Sequence, residues 1–245
     1  PKALEAVRLI DGLFAVERML AREPTLDLAV LSDAGNVPYG RQSRPQLCAS
    51  VRDSVARLRE LGAGPILVAC HSASTVLPEL DLPDVEGVVR PEAVPLGGTI
   101  LVLGGIRTIR SGAWRRALQH HGTVIQRIAQ PLSAAVEAGH IHHPATAQAL
   151  DRILAPGRAA DTVVLACTHY IALASLIQAR MPHAMIVDPA ISWADTIPLS
   201  AGTHLRVART TGAVDHTNST TARLLPSVAD TLVFQAWTDP DGVSP

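Results

Sequence analysis

Residues 65–74 read PILVACHSAS and residues 162–170 read TVVLACTHY. Each stretch drives four apolar residues into a cysteine, which is followed at once by a histidine and small hydroxyl residues. An unbroken apolar run, lacking the alternation of a half-solvated strand, predicts a parallel strand buried on both faces. Cys70 and Cys167 then fall at strand carboxyl ends. That is the edge where open α/β sheets bind ligands, because the loops there vary and the helices that follow aim their N–H groups at the crevice. Two thiols at two such edges can face one substrate.

Working outward, the pattern alternates strand and helix. An amphipathic helix with Leu13, Val16 and Leu20 is broken near Pro24, and a strand over 28–31 leads into the polar turn SDAGNVPYG at 32–40. A helix over 45–62 ends at Gly62, a natural C′ residue. The proline- and acid-rich stretch 78–95 reads as a crossover between domains. A second round follows, with strands over 99–103 and 123–128 and helices over 111–121, 133–138 and 144–154. After the second cysteine strand come a helix over 171–181, a short strand over 185–187, a strand over 204–210 and a helix from Asn218. The alternation predicts an α/β protein of two pseudo-symmetric domains, with mainly parallel sheets flanked by helices and the active site in the cleft between them. Residues 1–94 with 187–245 form the first domain, carrying Cys70, and residues 95–186 form the second, carrying Cys167.

Composition narrows the ligand. The chain has 245 residues, 47% of them apolar, enough for a sizeable core. Its 21 basic and 22 acidic residues leave a formal charge of −1. That balance gives no general electrostatic grip on nucleic acid or on an anionic membrane. No apolar stretch approaches the roughly 20 residues that span a bilayer, and no charged start leads into an apolar signal core, so the cytoplasm is the expected compartment. The three cysteines are odd in number and have no CxxC spacing, which fits free thiols better than disulfides or zinc. Cys48, on a helix in RPQLCASVRDSV, reads as a small buried hydrophobe.

Abstracting the α-proton of an amino acid needs a base on one face of the carbon, and inversion needs an acid on the other. A thiolate and a thiol serve both ends, since a reference pKa of about 8.5 allows either form near neutrality. His169, two positions after Cys167, can exchange a proton with that sulfur or bind a substrate carboxylate. His71 points into the site or away from it. Ser72, Ser74 and Thr168 suit a carboxylate or ammonium group, or cap helices. The turn at 32–40 supplies Asp33, Asn36, Pro38, Tyr39 and Gly40, while Asp11 and Glu137 are carboxylates able to polarise Cys70 and to orient His169. The glycines of LVLGGIRTIRSG lack the spacing of a nucleotide-binding turn. No HExxH spacing supports a metal-dependent hydrolase.

These segments resemble those of the cofactor-independent glutamate racemases of the aspartate/glutamate racemase superfamily. SDAGNVPYG is similar to that family's acidic turn ending in PYG, VACHSAS to its ACNTAS element and LACTHY to its GCTHYP element. LGGIRTIRSGAWRRAL, QPLSAAVEAG and VDPA follow in the family's order. The resemblance implies two-base racemisation without pyridoxal phosphate or metal, with Cys70 and Cys167 as bases, His169 and Glu137 assisting the second and Asp11 the first. It implies that Asn36, Pro38, Tyr39, Gly40, Ser72 and Thr168 line the pocket. It also implies a homodimer that supplies D-glutamate for peptidoglycan. Two departures stand out. Where the family has a DSGVGG turn this chain has only LIDGLFAVERML, so the turn's serine has no counterpart, and His71 and Ser72 replace an asparagine and a threonine. Racemisation of aspartate or another small acid, a lyase on the same scaffold, and an inactive homologue that binds an amino acid or a partner are the alternative readings.

Overall fold

The computed structural model describes residues 6–36, 39–62, 65–95 and 97–237 and, for residues 6–10 and Arg41, the backbone. Its strands are β1 (Ala6–Ile10), β2 (Asp27–Ser32), β3 (Ile66–Val68), β4 (Val85–Gly87), β5 (Thr99–Gly104), β6 (Thr123–Ile128), β7 (Thr162–Ala166), β8 (Met185–Val187), β9 (Arg206–Thr210) and β10 (Gln235–Ala236). They form two sheets in which every recorded pairing is parallel. One has six strands in the order β10-β9-β2-β1-β3-β4, the other four in the order β6-β5-β7-β8.

The two orders contain one motif twice. From its first strand each sheet grows to one side (β2, β6), then crosses back to the other (β3, β7) and continues outward (β4, β8). The direction of winding therefore reverses between β1 and β3 and between β5 and β7. At such a point neighbouring loops leave in opposite directions and open a crevice at the carboxyl ends of the strands. β3 and β7 are the strands that lead to the two cysteines.

Eleven helices connect the strands among the described residues. They are α1 (Leu13–Arg22), α2 (Arg44–Glu60), α3 (His71–Ser74), α4 (Ile106–Ser111), α5 (Ala113–Leu118), α6 (Gln130–Glu137), α7 (Pro144–Leu154), α8 (Ala174–Arg180), α9 (Pro189–Thr196), α10 (Val214–Leu224) and α11 (Pro226–Ala229). Local chemistry sets several boundaries. α2 starts at a reciprocal cap, the Ser43 side chain accepting from the Gln46 N–H while Gln46 accepts from the Ser43 N–H. α9 starts where Asp188 Oδ1 accepts the N–H groups of Ala190 (2.9 Å) and Ile191 (3.2 Å). The aspartate of VDPA is thus a helix cap, with burial raising its pKa to about 6.

Helices cover both faces of both sheets, so each sheet has two apolar layers. Leu28, Val30 and Leu67 face α1 and α9, while Leu31, Ile66 and Val68 face α2. In the four-stranded sheet Leu101, Leu103 and Val163 face one layer with Tyr170, and Ile100, Val102 and Val164 face the other with Trp114. Two-sided burial explains why β3 and β7, buried along their whole length, read as continuous apolar runs.

Several boundaries differ from the sequence expectations. The helix expected over 111–121 is the shorter α5, and an unexpected helix, α4, precedes it, the two separated by Gly112 with its left-handed φ of 68°. The helix expected from Asn218 begins earlier, at Val214. β1, at the centre of the large sheet, was not expected, and neither were β4, α9 and β10. β4 and β10 have two or three residues each, too short for periodicity to register.

Candidate active site

Three adjacent strands end side by side in the large sheet. Ile10 pairs with both Leu31 and Val68, so the residues that follow β1, β2 and β3 emerge together: Asp11, Asp33 and Cys70. The connection after β1 is unusually tight. Asp11 and Gly12 both take left-handed backbone, with φ of 58° and 79°. A Cβ on Gly12 would come within 2.2 Å of the Ala69 Cβ, so only glycine lets this turn pass beneath the residue before Cys70. Asp11 is a non-glycine residue held in a sparsely populated conformation, a form of strain that clusters at functional sites.

Asp33 is fully buried and organises the polar turn. Its carboxylate accepts hydrogen bonds from Tyr39 Oη (2.5 Å), Asn36 Nδ2 (2.8 Å) and Thr211 Oγ1 (2.9 Å), and its own N–H donates to Asp11 Oδ1 (3.2 Å). Burial raises the Asp11 pKa to about 7, helped by repulsion from Asp33 and opposed by that N–H and by the charge of His169. Asp11 therefore titrates near neutrality, where a proton can be held or released. Its sensitivity to His169, which belongs to the other sheet, shows that the two strand-end clusters are electrostatically in view of each other.

Cys70 is half-buried at the start of α3. Burial is the largest influence on its thiol and the Asp11 charge the next, and together they lift its pKa well above the ordinary range. The N–H groups of Ala73 and Ser72 oppose the rise, and charge on Cys167 adds to it. At rest this sulfur carries its proton. It is an acid whose conjugate base is partly supported by two backbone donors.

The second sulfur has the opposite partner. Cys167 Sγ lies 3.6 Å from His169 Nδ1, and His169 Nε2 lies 3.2 Å from Glu137 Oε1 at the end of α6. Burial disfavours charge on this imidazole. Hydrogen bonds to Cys167 and Glu137, with the negative charges of both, outweigh it and raise the His169 pKa to about 10. Glu137, half exposed, is lowered mainly by its hydrogen bond to His169. The second sulfur thus faces a protonated imidazole, where the first faces a carboxylate.

The remaining candidates distribute as follows. Ser72 Oγ lies 3.0 Å from Thr108 Oγ1 on α4, a contact between segments that follow β3 and β5. Gly40 approaches the side chain of Gln130, at the start of α6, whose Oε1 accepts the N–H of Ile106 at 3.2 Å. Thr168 is half-buried between Cys167 and His169. His71 is buried, 1% exposed, against Trp114, and neither ring nitrogen has a hydrogen-bond partner. Pro38 lies outside the described residues.

Three side chains at the site were not singled out from sequence. Thr211, just past β9, donates to Asp33 and accepts the Gly35 N–H at 2.9 Å, closing the polar turn from a position far along the chain. Thr108 reaches Ser72. Tyr170 is fully buried with its hydroxyl beside Cys167 and Ser133; burial, then Cys167, pushes its pKa far up, so it stays a phenol. Only Tyr170 carried a local signal, as the last residue of the LACTHY stretch.

No family model matches the chain. A glutamate racemase of Persephonella marina is 33% identical to it over 194 residues, 72% of this chain and 74% of that protein. One from Pseudomonas aeruginosa is 30% identical over 195 residues, 73% of this chain and 72% of that protein. Among solved structures, a glutamate racemase isoform of Bacillus anthracis superposes with a TM-score of 0.84 at 23% identity, covering 97% of this chain and 98% of its own. The structural likeness establishes a shared fold. Identity of a third across nearly three-quarters of two sequences reaches far beyond the cysteine motifs: the chain belongs to the glutamate racemase family.

Proposed function

We propose that this protein interconverts L- and D-glutamate by two-base proton transfer, with Cys70 and Cys167 on opposite faces of the α-carbon. The halves built on the two sheets, expected as residues 1–94 with 187–245 and residues 95–186, are the walls of the substrate cleft in this reading, except that Val187 ends β8 and so goes with the second half. What supports it is the different surroundings of the two sulfurs: Cys70 is kept protonated by burial and Asp11, and Cys167 Sγ lies 3.6 Å from the His169 imidazolium. In one direction Cys167 thiolate removes the α-proton while Cys70 delivers its own to the other face. The product leaves a protonated Cys167 and an ionised Cys70. The resting state returns when Cys70 regains a proton and Cys167 releases one, the net transfer passing through solvent; the charge of Asp11 favours the thiol at Cys70, and the His169 imidazolium, held by Glu137, faces the sulfur of Cys167.

The substrate carries two carboxylates and an ammonium group. Ser72, Thr168, Asn36 and Tyr39, together with Asp33, Pro38 and Gly40, are the groups assigned to the pocket; His71, the other expected pocket residue, is buried against Trp114 instead. We also propose that the protein acts in the cytoplasm, as a homodimer, supplying D-glutamate for peptidoglycan. Among the described residues no helix is long and apolar enough to cross a membrane.

Chiral chromatography of L-glutamate, D-glutamate and an amino-acid panel incubated with the purified protein tests the substrate. Racemisation of glutamate, lost in Cys70→Ser and in Cys167→Ser separately, is the expected result. Turnover of aspartate alone would replace the substrate. An active double variant would end the two-base assignment.

A further inference from the structure

His71 is the one side chain at the site whose chemistry has no evident use. It directly follows Cys70, is 1% exposed, and leaves both ring nitrogens without a hydrogen-bond partner. Its ring centroid lies 5.9 Å from that of Trp114, with the planes tilted by 40°. Trp114 belongs to the apolar layer of the four-stranded sheet with Val94, Ile100 and Val102, and its own indole N–H is also buried and unpaired. Buried polar groups are nearly always satisfied, so three unpaired nitrogens at one contact need an explanation. The contact also joins the two halves: α3 follows β3 of the large sheet, while α5, which carries Trp114, follows β5 of the small one.

We propose that the His71–Trp114 contact is a clamp between the two halves that positions Cys70, holding its sulfur at the correct separation from Cys167. The inference rests on the two-thiol reading above. His71 is a positioning residue here, acting through the adjacent cysteine. The ring suits the task because it fills an aromatic-sized space at the root of α3. A change there is transmitted through one peptide unit to the sulfur, where a misplacement of about 1 Å can cost on the order of a hundredfold in rate. The unpaired nitrogens are tolerated only while the imidazole is neutral, because charge without a partner in such a place is far more costly than a missing hydrogen bond.

The clamp therefore has an acid-sensitive signature. Burial lowers the His71 pKa to about 3, and no charged group on α2, β4, α4 or α5 enters among the causes. When the halves part, the ring meets water and regains an ordinary value near about 6.5. Acid thus favours the parted form. The ratio of clamped to parted protein falls about elevenfold at pH 5.5 relative to its value well above pH 7, by proton linkage.

Histidine labelled with nitrogen-15 in the ring, the His71 signals assigned from His71→Asn, reads this without turnover. In the wild type His71 should remain neutral well below pH 5. In Trp114→Ala its midpoint should move up towards about 6.5, Cys70 should be alkylated at least several-fold faster, and kcat should drop tenfold or more with KM nearly unchanged. Trp114→Phe, which keeps an aromatic ring, should retain the low midpoint and most of kcat, and serves if the alanine variant does not fold. A wild-type midpoint near 6.5 overturns the proposal, as does a Trp114→Ala protein whose midpoint moves while Cys70 alkylation and kcat do not. Absence of glutamate turnover in the wild type would refute the proposed substrate instead, while titration and alkylation still decide the clamp.

Discussion

Gly12→Ala strikes the narrowest point of the site. The glycine has a φ of 79°, and an added Cβ would lie 2.2 Å from the Ala69 Cβ, an atom anchored on backbone that cannot swing aside. Left-handed backbone costs a residue with a side chain about 1 to 2 kcal/mol, and overpacking in a closed site adds about 1 to 3 kcal/mol. Restricting the unfolded chain returns about 0.4 to 1 kcal/mol. The net expectation is a loss of about 1 to 4.5 kcal/mol, summed from those same terms, or a fall of roughly 0.5 to 2 M in urea midpoint at an ordinary slope. Because Ala69 precedes Cys70, the strain relaxes by displacing the sulfur, and racemisation should fall at least tenfold even where the protein is fully folded. Ala69→Gly separates the two causes. In that background the clash is gone and only the backbone cost remains, so Gly12→Ala should cost about 1 to 3 kcal/mol less than in the wild type. Urea unfolding of the four proteins, followed by circular dichroism, measures the cycle. Equal costs in both backgrounds, or an unchanged midpoint in Gly12→Ala, would refute the reasoning.

Other expectations follow from individual charges. Glu137→Gln removes a hydrogen bond and a negative charge from His169, whose folded pKa of about 10 exceeds its ordinary 6.5. The stabilisation from that imidazolium is complete below about pH 6.5 and lost as pH rises through the folded value. The variant should lose it earlier, moving the alkaline limb of the rate profile to lower pH. Asp11 is raised from 3.8 to about 7, so the native state binds its proton more tightly than the unfolded chain does, and stability falls as pH rises across that window. Asp11→Asn should flatten this slope and raise stability above pH 7 by up to about 4 kcal/mol, while slowing racemisation. Thermal unfolding against pH, paired with initial rates, checks both. Thr211→Val removes one donor to Asp33 and the acceptor for the Gly35 N–H; a cost of about 1 to 3 kcal/mol and a raised KM, read from unfolding and steady-state kinetics, are expected.

How much of this was legible in the chain follows from the range of each interaction. β3 and β7 announce themselves because two-sided burial demands apolar residues at every position, and each cysteine closes its run. The pairing of Cys167, His169 and Glu137 was readable because His169 stands two residues from the sulfur and the glutamate ends a recognisable helix. Asp11 was matched by position only, since β1 gave no sequence signal of its own and the turn beneath Ala69 becomes intelligible only with the neighbouring strands in place. Thr211 could not be found locally: its role depends on β9 pairing with β2, across most of the chain. The environment of His71 was open for a similar reason. Sequence places it beside Cys70, but whether its ring meets water or Trp114 depends on how the segments after β3 and β5 meet.

The central claim is that two sulfurs serve two faces of one carbon, and isotope exchange at early times tests it most directly. L-glutamate is incubated in deuterated water until only a few per cent has reacted, and both enantiomers are separated and weighed by mass spectrometry. The account predicts D-glutamate carrying deuterium at the α-carbon and recovered L-glutamate carrying almost none, because the proton removed and the deuteron delivered reside on different thiols. The reverse experiment from D-glutamate should mirror it. Product that retains the substrate's own α-proton would mean a single base working both faces, and would contradict the account.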